Sequence, residues 1–409
     1  MRAMYLDNNA TTAVDPDVLA AMLPFFTEQF GNASSAHGFG AVAASAVRDA
    51  RRTVRDLLGA ALDQEIVFTS GGTEADNAAI LSALDAVPGR DEVVVSAVEH
   101  PALLSLCAHL ERQRGVTVRR IAVDANGRLD LDAFRAALGP RTAIASAMWA
   151  NNETGTLFPV AKLAELAHAA GALFHTDAVQ AVGKLPIAVR DTAIDMLSLS
   201  AHKLHGPKGV GALYVRKGVP LQPLVRGGRQ ERGRRGGTEN VPGIVGLGCA
   251  AHLAAIRMAQ DLPRIAALRN RLERGILARV PGSSVTGDPA QRLANTSNIV
   301  FDRAEAEPML TDLDKAGIAV SSGSACASGA TEPSHVLRAM QVPFTAALGA
   351  VRFSLSRTNT EAEIDRVLTV LPAIVEHARA VSLFATGAAP AHTTNSDGQN
   401  TLTPARIDA

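Results

Sequence analysis

The chain has 409 residues, and 40 Lys+Arg balance 40 Asp+Glu, so its formal charge is zero. That leaves no long-range field to draw nucleic acid or an anionic membrane, and neither is expected as a partner. Hydrophobic residues at 47% and charged residues at 20% exclude wholesale disorder, and the length suits two or three domains of about 150 residues.

Residues 1–9 lack the apolar core of a signal peptide, and no run of about 18 apolar residues follows, so a cytoplasmic protein without a membrane span is expected. From about residue 65 to 216, short β-rich runs alternate with helical patterns. Ile66–Thr69 predicts a strand, followed by a glycine-rich turn and a helix over 74–84. A second strand over 92–98 leads to a helix opening at Pro101, where the fixed φ of proline suits the first helical position. Strands are expected over 116–123, 142–148, 172–176, Met196–Ser200 and 210–215, with helices over 130–138 and 160–170. Such alternation requires crossover connections and predicts an α/β fold, its mostly parallel sheet lying between helices.

After Pro242 the pattern changes. Residues 244–280 predict long helices broken near Pro263. Residues 295–383 mix strands (297–301, 318–321, 351–355) with helices (307–316, 334–340, 361–379), as a smaller α+β domain would. The expected division is a large domain over 15–260, a small domain from 1–14 and 261–384, and a disordered tail over 385–409, where periodicity is lost.

Three strand ends carry unusual side chains. Ser70-Gly71-Gly72-Thr73-Glu74 lies between strand and helix, where free backbone N–H groups and the helix N-terminus favour an anion. A plain turn capped by Thr73 is the structural alternative. In Phe174-His175-Thr176-Asp177 a carboxylate closes a strand, at the place where open α/β sheets bind ligands. Ser200-Ala201-His202-Lys203-Leu204-His205 follows another strand, and a partly desolvated lysine there can form a Schiff base. His202 and His205 have metal-ligand spacing, but no third ligand cluster accompanies them, and no intrinsic metal is expected. An anion cradle, an acidic strand end and a lysine strand end together fit pyridoxal phosphate.

In that order the segments resemble the cysteine desulfurases, pyridoxal-phosphate enzymes of aminotransferase class V, and most of all the type dedicated to nitrogenase cluster assembly. The resemblance runs from Tyr5-Leu6-Asp7-Asn8-Asn9-Ala10-Thr11-Thr12 to about residue 380 and includes Asn151-Asn152-Glu153-Thr154-Gly155 and Ser321-Ser322-Gly323-Ser324-Ala325-Cys326. It implies the fold of type I pyridoxal-phosphate transferases, with a seven-stranded, mostly parallel sheet in the large domain. It implies that Lys203 carries the cofactor aldehyde and shuttles the substrate Cα proton, and that Asp177 pairs with the pyridine nitrogen. Gln180 would bond the ring oxygen, and Gly72, Thr73, Ser200 and His202 would hold the phosphate. His100 would stack on the ring and transfer protons, while Asn152 and Arg357 would receive the substrate carboxylate. Cys326 would take sulfur from L-cysteine as a persulfide, leaving L-alanine, and pass it to an iron–sulfur scaffold protein, where the persulfide could contact a nascent cluster. A homodimer is implied, with Thr238 reaching the partner's cofactor phosphate. Ala327 stands where relatives often carry Thr.

Other features read more simply. Cys107 and Cys249 sit in apolar or alanine-rich helical runs and are expected to pack, whereas Cys326 sits among Ser, Gly and Ala, where a thiol is useful only if it reacts. No Cys-x-x-Cys occurs, so neither a disulfide framework nor a zinc cage is expected. The Arg/Gly-rich stretch 226–238 lacks the aromatics of an RNA-binding box. Gly38-Phe39-Gly40-Ala41-Val42-Ala43 follows no strand and is rejected as a dinucleotide fingerprint. The alternatives are a housekeeping desulfurase, a selenocysteine lyase or an aminotransferase. Outside that cofactor class stand a cofactor-free thiol hydrolase pairing Cys326 with His335, and a catalytically silent sulfur carrier.

Overall fold

A computed structural model describes residues 3–322 and 332–382, together with 393–394 and 400–401. Cys326 and all of the expected tail except those last four residues lie outside the described residues. The chain opens with β1 (Met4–Tyr5), α1 (Pro16–Met22), α2 (Pro24–Thr27) and α3 (Gly38–Leu58). Next come β2 (Ile66–Thr69), α4 (Gly72–Ala86), β3 (Glu92–Ser96), α5 (Pro101–Arg114), β4 (Thr117–Ile121) and α6 (Leu131–Ala137). These are followed by β5 (Thr142–Ser146), α7 (Val160–Ala169), β6 (Leu173–Asp177), β7 (Met196–Ser200) and β8 (Gly211–Val215).

These strands form one seven-stranded sheet in the order β2-β8-β7-β6-β5-β3-β4. β8 runs antiparallel to both of its neighbours, and the remaining pairs are parallel. Strands β2, β3, β5, β7 and β8 are buried at every residue. Burial on both faces is why they read in sequence as continuous apolar runs without alternation. The direction of winding reverses between β3 and β5, which opens a crevice at their carboxyl ends beside the end of β6.

The second part of the chain contains α8 (Val241–Arg279), β9 (Ser283–Thr286), β10 (Thr296–Phe301), α9 (Ala306–Lys315) and β11 (Ile318–Ala319). After these come α10 (His335–Ala339), α11 (Phe344–Leu348), β12 (Ala350–Ser354) and α12 (Glu361–Val381). β10 lies between β12 and β9, both antiparallel to it. β1 pairs with β11, which ties the start of the chain to this part.

Helix α8 corrects the expected break at Pro263, because it runs unbroken through that residue. Its first half buries Ile244, Leu247 and Ala251 in the core under the large sheet, and its second half buries Leu268, Leu272 and Ile276 in the second core. Packing on both sides outweighs the single backbone hydrogen bond that proline removes. α8 is long and apolar enough to cross a membrane by length and composition, yet more than half of its apolar stretch is buried within the protein. Helix α3 packs along it where no element was predicted. A Cβ on Gly248 would stand 2.7 Å from the Cα of Ala50, so the two backbones approach at a spacing that requires glycine.

Candidate active site

Gly72, Thr73, His100, Asn152, Asp177, Gln180, Ser200, His202 and Lys203 lie at or just past the ends of β2, β3, β5, β6 and β7, at the carboxyl edge of the sheet, whereas Thr238 and Arg357 come from elsewhere in the chain and Cys326 lies outside the described residues. Gly71 is the N-cap of α4, without a side-chain hydrogen bond, so the alternative of Thr73 as the cap does not apply. Gly72 is held against the β6 turn, where a Cβ would meet Val179 Cγ2 at 2.7 Å. A Cβ on Gly71 would lie 3.7 Å from Ser200 Oγ, so the end of β7 stands beside the start of α4. An uncapped helix N-terminus beside a buried serine hydroxyl has the chemistry of a phosphate site.

Asp177 closes β6, and its Oδ1 accepts from Val179 N at 2.9 Å. Burial raises its pKa, while the Val179 N–H and the charges of His100 and Lys203 pull it down. A carboxylate in that balance favours a cationic N–H partner, as a protonated pyridine nitrogen would be. His100 caps α5, its Nδ1 accepting from Ala102 N at 3.1 Å, so its other ring nitrogen holds the proton. Burial lowers its pKa, with Asp177 opposing and Lys203 and His335 reinforcing, so the ring is neutral near pH 7. His202 is pushed down to about 4 by burial and then by Lys203, Lys208 and Lys184, and its Nδ1 lies 3.1 Å from Thr11 Oγ1. Thr73 and His100 line an open groove of about 670 Å³ between α4 and α5.

Lys203 ends the short turn Ala201–Lys203 after β7. Its Nζ donates to the carbonyl oxygens of Asn9 and Ala10, the latter at 2.7 Å. Asn9 is the hub of the site. Its carbonyl also accepts from Gln180 Nε2 at 2.9 Å, and its Nδ2 donates to the Asn152 carbonyl at 3.0 Å and to Thr296 Oγ1 at 2.9 Å. Thr12 extends the same strap, with its backbone N–H bonded to the carbonyl of His202 at 2.9 Å. The residues thus fit pyridoxal phosphate: an amine for its aldehyde, a carboxylate for its ring nitrogen, and donors for its phosphate.

The two residues expected to receive the substrate carboxylate are engaged differently. Arg357 is ion-paired with Asp15, whose Oδ2 also meets Arg257 at 3.1 Å. Arg352 stands against Asn152, donating to its carbonyl at 3.0 Å and pairing with Asp7 at 2.7 Å. The sequence reading missed Arg352. The available signal was a charged residue in the middle of a predicted buried strand, and it is 2% exposed. Asn9 offered no such signal. Thr238 is exposed, and its loop is anchored by Arg235 on Glu74 at 2.9 Å.

Glu99, beside His100, is fully buried, and its Oε1 accepts from Ser96 Oγ and from Met148 N at 2.9 Å. Burial pushes its carboxyl up to about 8, with those two donors opposing. The folded protein therefore keeps the proton that an unfolded chain releases near pH 4.3, and stability falls as pH rises from there to the folded value. Glu99→Gln does not titrate. Its melting temperature relative to the parent should climb between about pH 5 and pH 8 and level off above. Parallel melting curves across that range would show that Glu99 is ionised in the folded state.

The aminotransferase class-V family model matches residues 4–367. A cysteine desulfurase of Cereibacter sphaeroides is 67% identical over 384 residues, 94% of this chain and 98% of the other. The cysteine desulfurase NifS of Azotobacter vinelandii is 57% identical over 390 residues, 95% and 97% of the two chains. A solved NifS-like protein superposes with a TM-score of 0.85 at 37% identity, covering 92% of this chain and all of that one. The chain therefore belongs to the aminotransferase class-V family, among the cysteine desulfurases.

Proposed function

We propose that this protein takes sulfur from L-cysteine, holds it as a persulfide on Cys326 and releases L-alanine, with pyridoxal phosphate bound through Lys203. One observation carries this reading: Asn9 bonds Lys203, Gln180 and Asn152 at once, so the aldehyde-bearing amine and the substrate-binding loop are held on one residue. When bound, the cofactor supplies an electron sink that weakens the bonds at the α-carbon of the attached amino acid. Asp177 keeps the ring nitrogen protonated, and Gln180 donates to the ring oxygen. Gly72, Thr73, Ser200 and His202 hold the phosphate, His202 as a neutral donor. Lys203 takes the proton from the substrate Cα, and the neutral ring of His100 would lie beside the cofactor and exchange protons there. Cys326 Sγ bonds to the substrate sulfur as the Cβ–S bond breaks. The electron pair of that bond stays with the carbon skeleton, which is protonated and leaves as L-alanine.

The substrate carboxylate is assigned to Asn152 with Arg352 in preference to Arg357, because Arg352 already touches the Asn152 backbone; both arginines carry an acidic partner, Asp7 and Asp15. Titration of L-cysteine into the holoenzyme, followed by visible absorbance, tests both points. The cofactor band should shift with L-cysteine, and a band indifferent to it would overturn the function. Arg352→Lys keeps the charge but loses the planar fork, and should raise the half-saturating concentration by about 30-fold, against less than about threefold for Arg357→Lys. The reverse order would return the carboxylate to Arg357.

A homodimer is part of the reading. Leu19, Leu23, Phe26, Phe30, Phe39 and Val42 are each 46–65% exposed, and the Phe30 and Phe39 rings meet at 5.6 Å. An apolar patch of that kind supports burial against a second copy, and Thr238 on its exposed loop is free to reach the neighbouring phosphate. The resemblance supports nitrogenase iron–sulfur assembly as the destination of the sulfur, through a scaffold protein in the cytoplasm.

A further inference from the structure

Lys184 has no part in the reading above, yet it stands inside the site. It follows Gly183, whose φ of 75° turns the chain after β6. Its Nζ donates to Gln180 Oε1 at 2.7 Å and to Asn9 Oδ1 at 3.3 Å. It lines the same cavity of about 60 Å³ as Lys203, together with Asn8, Asn295 and Arg357. Burial, then the positive charges of Lys203 and Arg352, push its ammonium down to about 7.

An ammonium has donors and no acceptor. While Lys184 is protonated, its contact with Gln180 therefore fixes which end of that amide is oxygen. The nitrogen end carries two N–H groups, and the bond to the Asn9 carbonyl at 2.9 Å uses one of them. The other is available to an acceptor in the site. If Lys184 were absent, a half-turn of the amide would leave the Asn9 carbonyl facing an oxygen, and nothing would oppose that turn except the loss of this one bond.

We propose that Lys184 is a positioning residue that sets the polarity of the Gln180 amide, so that an N–H faces the ring oxygen of the cofactor. The proposal rests on the role of Gln180 toward that oxygen. A donor facing the ring oxygen favours the deprotonated chromophore, and so does a nearby positive charge. Removing Lys184 takes away both effects in the same direction.

The test is the visible absorption of the reconstituted holoenzyme across pH, for the parent, Lys184→Met, Lys184→Arg and Gln180→Leu. Lys184→Met keeps the stem and removes the donors, and the midpoint of its colour change should rise by about one pH unit, a tenfold change in the proton equilibrium. Gln180→Leu should raise the midpoint likewise, and Lys184→Arg should restore it to near the parent value. An unshifted Lys184→Met beside a shifted Gln180→Leu overturns the proposal, and so does a Lys184→Arg shift equal to that of Met. An unshifted Gln180→Leu overturns the underlying role of Gln180 instead. If the Met variant does not fold, Lys184→Gln, uncharged and able to accept as well as donate, is read in its place: a midpoint above that of Lys184→Arg supports the proposal, and one equal to it overturns it.

Discussion

Replacing Lys203 with alanine is expected to lower kcat/KM for L-cysteine by about 10,000-fold or more and to abolish the covalent cofactor linkage. The loss is large because one amine serves both to hold the aldehyde and to take the Cα proton. A second lysine lies close by, and its contacts show why it is a poor substitute. Lys184 is committed to the side-chain oxygens of Gln180 and Asn9, whereas Lys203 rests on the backbone carbonyls of Asn9 and Ala10. Those carbonyls belong to the strap along the turn that carries Lys203, so the amine has acceptors to rest on while it is free of the aldehyde during turnover. Borohydride reduction of the parent followed by peptide mapping checks the assignment. The tag should sit at position 203, and a tag at position 184, or none, would overturn it.

Cys326→Ala should eliminate the protein-bound persulfide and lower desulfuration without added thiol by about 1,000-fold, while the cofactor band and its response to L-cysteine persist. The other two cysteines make this test specific. Cys107 is buried, and burial pushes its thiol up to about 12. Cys249 is also raised by burial, with the charges of Asp15 and Asp17 adding to the effect. In both, burial disfavours the thiolate form that a nucleophile needs. Mass spectrometry of alkylated protein should find one extra sulfur on the Cys326 peptide. Extra sulfur on the Cys107 or Cys249 peptide would displace Cys326 from its role.

The strands of the large sheet were legible to within about two residues at their ends, because strands buried on both faces must be apolar throughout. Ile66–Thr69 and Met196–Ser200 coincide with their predicted bounds. Helix α3 was not legible. Its small residues pack against α8 by close approach of backbones, which leaves little large-apolar signal. The apparent break at Pro263 failed for a related reason, since two cores clamp the helix on either side of it.

For the site, residue type and position at strand ends were enough to single out Lys203, Asp177 and the Gly71-Gly72 turn. Each contributes a chemical group whose use depends little on distant partners. Arg352, Asn9 and Lys184 were different. Arginine, asparagine and lysine are ordinary in sequence, and these three gain meaning from contacts between residues far apart in the chain, up to the 345 positions that separate Arg352 from Asp7. By itself the sequence determined the α/β alternation and the cofactor class and singled out Lys203 as the candidate amine, because local pattern and chemical type carry those. Only the tertiary structure brings Arg352 to the Asn152 carbonyl and Lys184 to the Gln180 amide. Those contacts depend on where the folded strap of residues 9–12 brings distant backbone carbonyls and side chains together, and no local pattern encodes that meeting.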